Sequence, residues 1–376
     1  MKKNLFYLSF ILTISCTKTN PPAPTPTENI KENCNTIHVR KDNSNTFYEP
    51  NPTYDNIPSN AMNSWKTSSF KEANIDSILF LAGKNKLEQH PTLFSFLMIR
   101  NDKIIFEKYF HGSEKDHSNN IHSASKCVLS ALTGIAIHKA FLSLDQKVAD
   151  FFPNYSIDNT SKKKISIRHL LNMTSGLDWQ EDETEYVIED KTNWTEAILN
   201  LPLAHAPGST FNYSTGNTHL LSAILTEATQ VSNCDFAYEN LFSNLGITVE
   251  HWGKDRQGYF SGGYNFYITP RELARFGLLY LNEGGYQSQQ IIPQDWVNVS
   301  LSKQEYVDDD YDYSYGWWIT NILGHDVFKA WGYGGQYICL IPDFDLMIVS
   351  TANTNSTYDE FDMDQFMEQY VIPAVE

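Results

Sequence analysis

Two apolar runs near residue 100 carry the chain's first strand signal. Leu93-Phe94-Ser95-Phe96-Leu97-Met98-Ile99 and Lys103-Ile104-Ile105-Phe106-Glu107-Lys108-Tyr109 are rich in β-forming residues, and Asn101-Asp102 between them is turn chemistry, so the pattern predicts a β-hairpin. The period then changes: Val128, Leu129, Leu132, Ile135 and Ala136 recur at helical spacing and predict a helix from near Ser123 to Phe141. From about Ser143 to Tyr311 the signals are mainly helical with long loops, as over 167–173, 219–228 and 270–281. Strand patterns return over 336–341 and 346–351, around the turn Pro342-Asp343-Phe344-Asp345, and a last helix is expected over 359–370. The outline is an α/β fold. An antiparallel sheet flanked by helices is built from about 61–142 and 312–376, with a mainly helical domain inserted over about 143–311.

Upstream the pattern is different. Lys2 and Lys3 precede the mostly apolar stretch Leu5 to Ile14, which at about ten residues is too short for a spanning helix of roughly 20. Thr13-Ile14-Ser15-Cys16 follows and resembles a bacterial lipobox, with Thr13 where Leu is usual. The expectation is a lipoprotein signal over 1–16, lipid on Cys16, and a periplasmic or cell-envelope location with the membrane as a partner. Residues 17–60, with Pro21, Pro22, Pro24 and Pro26, read as an extended Pro-rich tether, leaving 61–376 as the folded domain. Cys34, Cys127, Cys234 and Cys339 lack paired spacing, so a zinc site is not expected; Cys127 and Cys339, in apolar runs, read as buried free thiols. The net charge of −17 argues against nucleic acid as a partner.

Three motifs carry the chemistry. In Ser123-Ala124-Ser125-Lys126, positions i and i+3 of a helix share a face, so the serine hydroxyl can lie beside the lysine amine. A serine needs a partner to take its proton, and a desolvated lysine can be held neutral enough to do so. Phe211-Asn212-Tyr213-Ser214-Thr215 offers Tyr213 as a proton shuttle between cations. Trp331-Gly332-Tyr333-Gly334-Gly335-Gln336 is expected to enter a strand, where the Gln336 amide could join that of Ser123 in an oxyanion hole.

In this order the motifs resemble the serine β-lactamase and penicillin-binding protein superfamily, in its class C-like branch of esterases, amidases, D-amino peptidases and 6-aminohexanoate-dimer hydrolases. The segments Ile165–Leu177, Thr269–Gly277 and Tyr315-Gly316-Trp317-Trp318 extend the likeness over roughly 80–375. The resemblance implies a β-lactamase/transpeptidase-like fold and a cleft holding Ser123, Lys126 and Tyr213. It also implies acyl transfer on a small ester or amide without metal or organic cofactor. Thr215, Asn217, Tyr333, Gly334, Gly335 and Trp317 are the candidate substrate-binding residues.

Two departures bear on function. Thr215 stands where the branch usually has the Asn of Y-x-N, keeping one hydroxyl, with Asn217 near enough in sequence to contribute. Tyr333 stands where K-T-G or H-x-G supplies a cation or His, with Lys329 upstream as the rival for that place. His122, Arg168 and Arg271 read as scaffold. One of Trp317 and Trp318 is expected in the core by strand alternation. The acidic run Asp178, Glu181, Asp182, Glu183 and Glu185 reads as a loop that would bias substrate charge if it borders the cleft. Rival readings are a peptidoglycan D,D-peptidase or β-lactamase, and a catalytically silent binding protein of the same fold.

Overall fold

Strands with continuous apolar runs and no alternation sit where both faces are covered. The runs 337–341 and 346–349 are of this kind, and all residues of their strands, Gln336–Ile341 and Leu346–Ala352, are buried. In the computed structural model, which describes residues 65–375 apart from 156, 158, 159, 182 and 357, they form the middle of an eight-stranded antiparallel sheet. Its order is Lys103–Tyr109, Leu93–Arg100, Leu346–Ala352, Gln336–Ile341, His325–Gly332, Trp317–Ile322, Asp312–Ser314 and Glu305–Tyr306. The early hairpin thus pairs with the C-terminal strand, Phe96 opposite Ser350 and Met98 opposite Ile348. The expected signal segment with Cys16, the tether and Cys34 lie outside the described residues.

One face of the sheet packs against the helix Ser125–His138 and the elements between residues 139 and 304, in one large apolar cluster. That helix is buried from Ser125 through Ala136, with Ser125, Lys126, Ser130 and Thr133 enclosed among its apolar residues. The other face carries a second cluster, in which Phe80, Phe96, Phe106 and Phe366 join the N-terminal helix Ser77–Ala82 and the C-terminal helical segment to the sheet. The bidentate ion pair of Arg271 with Glu107, at 2.7 Å for both contacts, ties the helix Pro270–Leu281 to the hairpin. Arg168 holds Asp145 and the Tyr315 hydroxyl. Both arginines are scaffold in this arrangement.

Two expectations about elements need correction, and a third gains detail. The final helical segment runs from Met363 to Val375, with a π turn over Met367–Val371. It begins four residues later than expected because the Asp362 carboxylate caps it by accepting from the Gln365 amide. The third motif enters its strand at Gln336 as expected, and its first two residues, Trp331 and Gly332, end the preceding strand, so that Tyr333-Gly334-Gly335 is the turn between the two, with positive φ at both glycines. The sheet also gains short edge strands from Glu305 on, too polar and brief to leave a periodic signal.

Candidate active site

Ser123 sits in a single 3-10 turn, His122–Ala124, directly before the buried helix Ser125–His138. The turn starts from a left-handed His122 (φ 44°) whose amide donates to the Asn120 side chain at 3.1 Å, consistent with a structural role for His122. One turn on, Lys126 is 2% exposed. Its Nζ donates to Ser123 Oγ at 2.8 Å and to Thr215 Oγ1 at 3.0 Å, and lies 4.9 Å from the centre of the Tyr213 ring. Gly263 closes the cavity over the ammonium: a Cβ there would stand 2.8 Å from Lys126 Nζ.

Tyr213 precedes the helix Thr215–Thr229, which Ser214 caps by accepting from the Asn217 amide at 3.1 Å. The positive end of this helix dipole faces the site. Tyr213 itself is half-buried, and Ser123 and the Lys126 ammonium both lie close enough to act on its phenol. Its ring lies 5.4 Å from Trp318 and 6.2 Å from Tyr313.

The electrostatics overturn one expectation. Burial alone would drive the Lys126 ammonium toward neutrality, but the negative potential of Tyr213 in its phenolate form, together with that of Glu181 and Glu185, outweighs it and holds Lys126 above the ordinary lysine range. Tyr213 is also pushed up: burial and Glu181 raise its phenol further than Lys126 and the two hydrogen bonds lower it. At neutral pH the pair therefore rests as ammonium and phenol, not as a neutral amine.

Glu181, read as one charge of an acidic loop that would bias substrate charge if it bordered the cleft, grips the motif-two helix. One oxygen accepts from the Thr215 hydroxyl; the other accepts from the Thr215 amide at 3.0 Å and the Trp179 indole at 2.5 Å. The acidic segment thus borders the site, and the carboxylate of Glu189 receives the Tyr264 hydroxyl at 2.5 Å next to Gly263. The pair Gly262-Gly263 is the site element that sequence reasoning passed over, although the double glycine was an available signal; Glu181 was named only as one charge of the acidic run.

The third motif reaches the site through its backbone. A Cβ on Gly332 would stand 2.1 Å from the Ile121 carbonyl oxygen and 3.1 Å from the Ala124 amide nitrogen, so only glycine lets this strand end lie against the nucleophile turn. Gln336, opposite Gly332 in register, is fully buried, and its side chain is bound at both ends to Ala352, by its amide group to the carbonyl at 2.8 Å and by its oxygen to the amide at 3.1 Å. Tyr333 is 66% exposed and edge-on to His122 at 5.8 Å.

Two candidate binding residues do not reach the site. Asn217 is fully buried, and its amide points at Met173 Sδ, 3.9 Å away; two residues along a helix from Thr215 turns the side chain to another face. Trp317 packs inward on Tyr280 at 4.6 Å, and its neighbour Trp318 takes the place beside Tyr213. Lys329, the rival cation, is 1% exposed and is bound to Asp364 at 2.7 Å and to the Tyr311 hydroxyl at 2.8 Å, with its ammonium 4.4 Å from the Tyr311 ring. Cys127 and Cys339 are buried free thiols, and Cys234 is disulfide-bonded. Among the described residues, no group of three or more His, Cys, Asp or Glu side chains is arranged to hold a metal ion.

An antiparallel sheet with helices on both faces, a serine opening a buried helix, and a Ser-x-x-Lys and Tyr cluster at the sheet's glycine-rich turn together define a β-lactamase/transpeptidase-like α/β protein. The profile of the family described as Beta-lactamase matches residues 89–371, and the chain belongs to that family, whose members are hydrolases. It is 24% identical over 290 residues to a 6-aminohexanoate-dimer hydrolase of Paenarthrobacter ureafaciens, covering 69% of this chain and 72% of that one. Among solved structures it is similar to a putative 6-aminohexanoate-dimer hydrolase from Bacillus anthracis, with a TM-score of 0.70 at 19% identity over 84% of this chain and 88% of the other. It is also similar to a class C β-lactamase, with a TM-score of 0.61 at 18% identity over 82% and 96%.

Proposed function

We propose that the chain is a serine hydrolase that cleaves esters or amides through an acyl-enzyme on Ser123. The observation that carries this reading is the 2.8 Å contact of Lys126 Nζ with Ser123 Oγ, with the Tyr213 ring centre 4.9 Å from the same ammonium. Loss of one proton from the Lys126–Tyr213 pair creates the base. Ser123 Oγ then attacks the carbonyl carbon, its proton passes to the pair, and the Tyr213 phenol returns a proton to the departing alkoxide or amine. The Ser123 and Gln336 amides hold the developing oxyanion, a role that the close seating of Gly332 on the nucleophile turn supports. Water then attacks the acyl-enzyme with the same pair as base. Because both groups hold their protons more tightly than usual, the active form gains population as pH rises. The kcat/KM for p-nitrophenyl butyrate should therefore climb from neutral into alkaline pH, and a flat profile across that range would contradict the assignment of the base.

Substrates without an acidic group beside the scissile bond should be preferred. Penicillins and D-Ala-D-Ala peptides carry a carboxylate there. Tyr333 brings a phenol but no charge to the position where a cation would meet it, Lys329 is committed to Asp364, and Glu181 and Glu189 set a negative potential next to the cavity. Lacking one charge-assisted hydrogen bond, nitrocefin should show a kcat/KM about 10- to 100-fold below that of p-nitrophenyl butyrate. Equal efficiency on the two would favour the β-lactamase or D,D-peptidase reading.

Export and a lipid anchor on Cys16 belong to the same reading, and the disulfide at Cys234 supports an oxidising compartment. Mass spectrometry of the mature protein should find Cys16 as an acylated N-terminus; an unmodified terminus elsewhere would remove the anchor.

A further inference from the structure

Glu181 is bound from inside the protein rather than presented to a ligand. Its Oε1 receives the Thr215 hydroxyl, and its Oε2 receives both the Thr215 amide and the Trp179 indole. A carboxylate so engaged has little left with which to bind a substrate cation. The direction of these bonds has a consequence for Lys126. An ionised carboxylate accepts only, so the single proton of the Thr215 hydroxyl must go to Glu181. Thr215 Oγ1 then has only lone pairs to offer Lys126, which must donate an N–H to it, as the 3.0 Å contact allows. The chain of bonds therefore runs one way, from Lys126 to Thr215 to Glu181.

We propose that Glu181 is a positioning residue for the Lys126–Tyr213 pair, fixing the orientation of the Thr215 hydroxyl and, through it, which face of the Lys126 nitrogen meets Ser123. The proposal rests on the acyl-enzyme reading above. With one N–H committed to Thr215, the rest of the nitrogen's tetrahedron is turned toward Ser123 Oγ and Tyr213, where a lone pair is needed once the proton has left. The other groups around the ammonium leave this role open. The turn before its helix carries Ser123, the helix itself the buried Cys127 thiol, and the 211–215 segment offers Tyr213 and Thr215. Gly263 covers it from a third side, with Tyr264 directed to Glu189. Glu185 adds negative potential from the same segment as Glu181. Glu181 differs in bonding to a direct partner of Lys126, the Thr215 hydroxyl.

The isosteric change Glu181→Gln reverses this polarity. If the Gln oxygen keeps the Thr215 amide and Trp179 indole, its NH2 faces Thr215 Oγ1, which must then accept from it and turn its own O–H toward Lys126. Both that reversal and the lost charge favour the neutral amine. The test uses the full chain and measures kcat/KM for p-nitrophenyl butyrate from mildly acidic to alkaline pH. In parallel, the rate at which a fluorophosphonate labels Ser123 is followed. In Glu181→Gln the ascending limb should move to lower pH by about one unit, the scale expected for loss of a nearby opposite charge. Glu181→Asp keeps the charge but withdraws it by one methylene, and should move the limb the same way by about half as much. A merely structural Glu181 would lower the plateau and leave the limb in place. An unmoved limb in Glu181→Gln, with the wild type labelled at Ser123, overturns the proposal and spares the acyl-enzyme reading. Failure of the wild type to label at Ser123 overturns both. If Glu181→Gln does not fold, Glu181→Asp decides on the same axis: a downward shift supports the role, and an unmoved limb overturns it.

Discussion

Ser123→Ala is expected to lower kcat/KM for ester hydrolysis by about 10^4-fold or more, the loss typical of a covalent nucleophile, while leaving the fold in place. The hydroxyl is half-buried and accepts one hydrogen bond from Lys126. Removing it leaves Lys126 with Thr215 as acceptor and Tyr213 beside it, so the stability change should be about 1 kcal/mol, the scale of one hydrogen bond. Circular dichroism and a thermal melt, run beside the kinetics, separate the two effects. A variant that folds and still turns over at near wild-type rate would remove Ser123 from the chemistry and favour a binding protein that keeps the fold.

Lys126→Ala and Tyr213→Phe should each cost nearly as much as Ser123→Ala, and the double variant little more than either. Residues that act as one unit lose their function together. Here the two side chains share the protons whose removal creates the base, so the apparent titration belongs to the pair. Lys126→Ala also leaves a void at a position fully enclosed by the core and strips Thr215 Oγ1 and Ser123 Oγ of their donor. Lys126→Met, which refills that volume with an apolar chain, controls for the packing loss. Steady-state kinetics on the single and double variants measures the coupling. Independent, multiplicative losses would mean that Lys126 and Tyr213 serve different steps.

The middle of the sheet was legible in the sequence because its strands are buried on both faces and read as unbroken apolar runs. Leu346–Ala352 and Gln336–Ile341 fall within a residue of the pattern, and Pro270–Leu281 matches it, since Thr269 and Glu272 form a reciprocal capping box behind a first-turn proline. The serine and lysine of the first motif were legible for a similarly local reason: three residues on a helix fix a shared face. Signals that depend on distant contacts were weaker. Alternation at Trp317-Trp318 says that one ring is buried but not which, and the packing of Tyr280 decides it. Asn217 was near Thr215 in sequence but lies on another helix face. Glu181 sits in an acidic run that has the composition of a solvated loop, and its role emerges only when the fold brings Trp179 and the Thr215 amide to the same carboxylate. The balance at Lys126 was harder to read for the same reason: its burial follows from a local apolar pattern, whereas Tyr213, Glu181 and Glu185, which oppose the effect of burial, come from distant segments.

The central claim, a covalent acyl-enzyme on Ser123, is tested most directly by intact-mass spectrometry of the full chain quenched during turnover of p-nitrophenyl butyrate, followed by peptide mapping. The account predicts an added butyryl mass on the wild type, localised to the peptide that contains Ser123 and lost in Ser123→Ala. A butyryl adduct that persists on Ser123→Ala, or that maps to another residue, would contradict it.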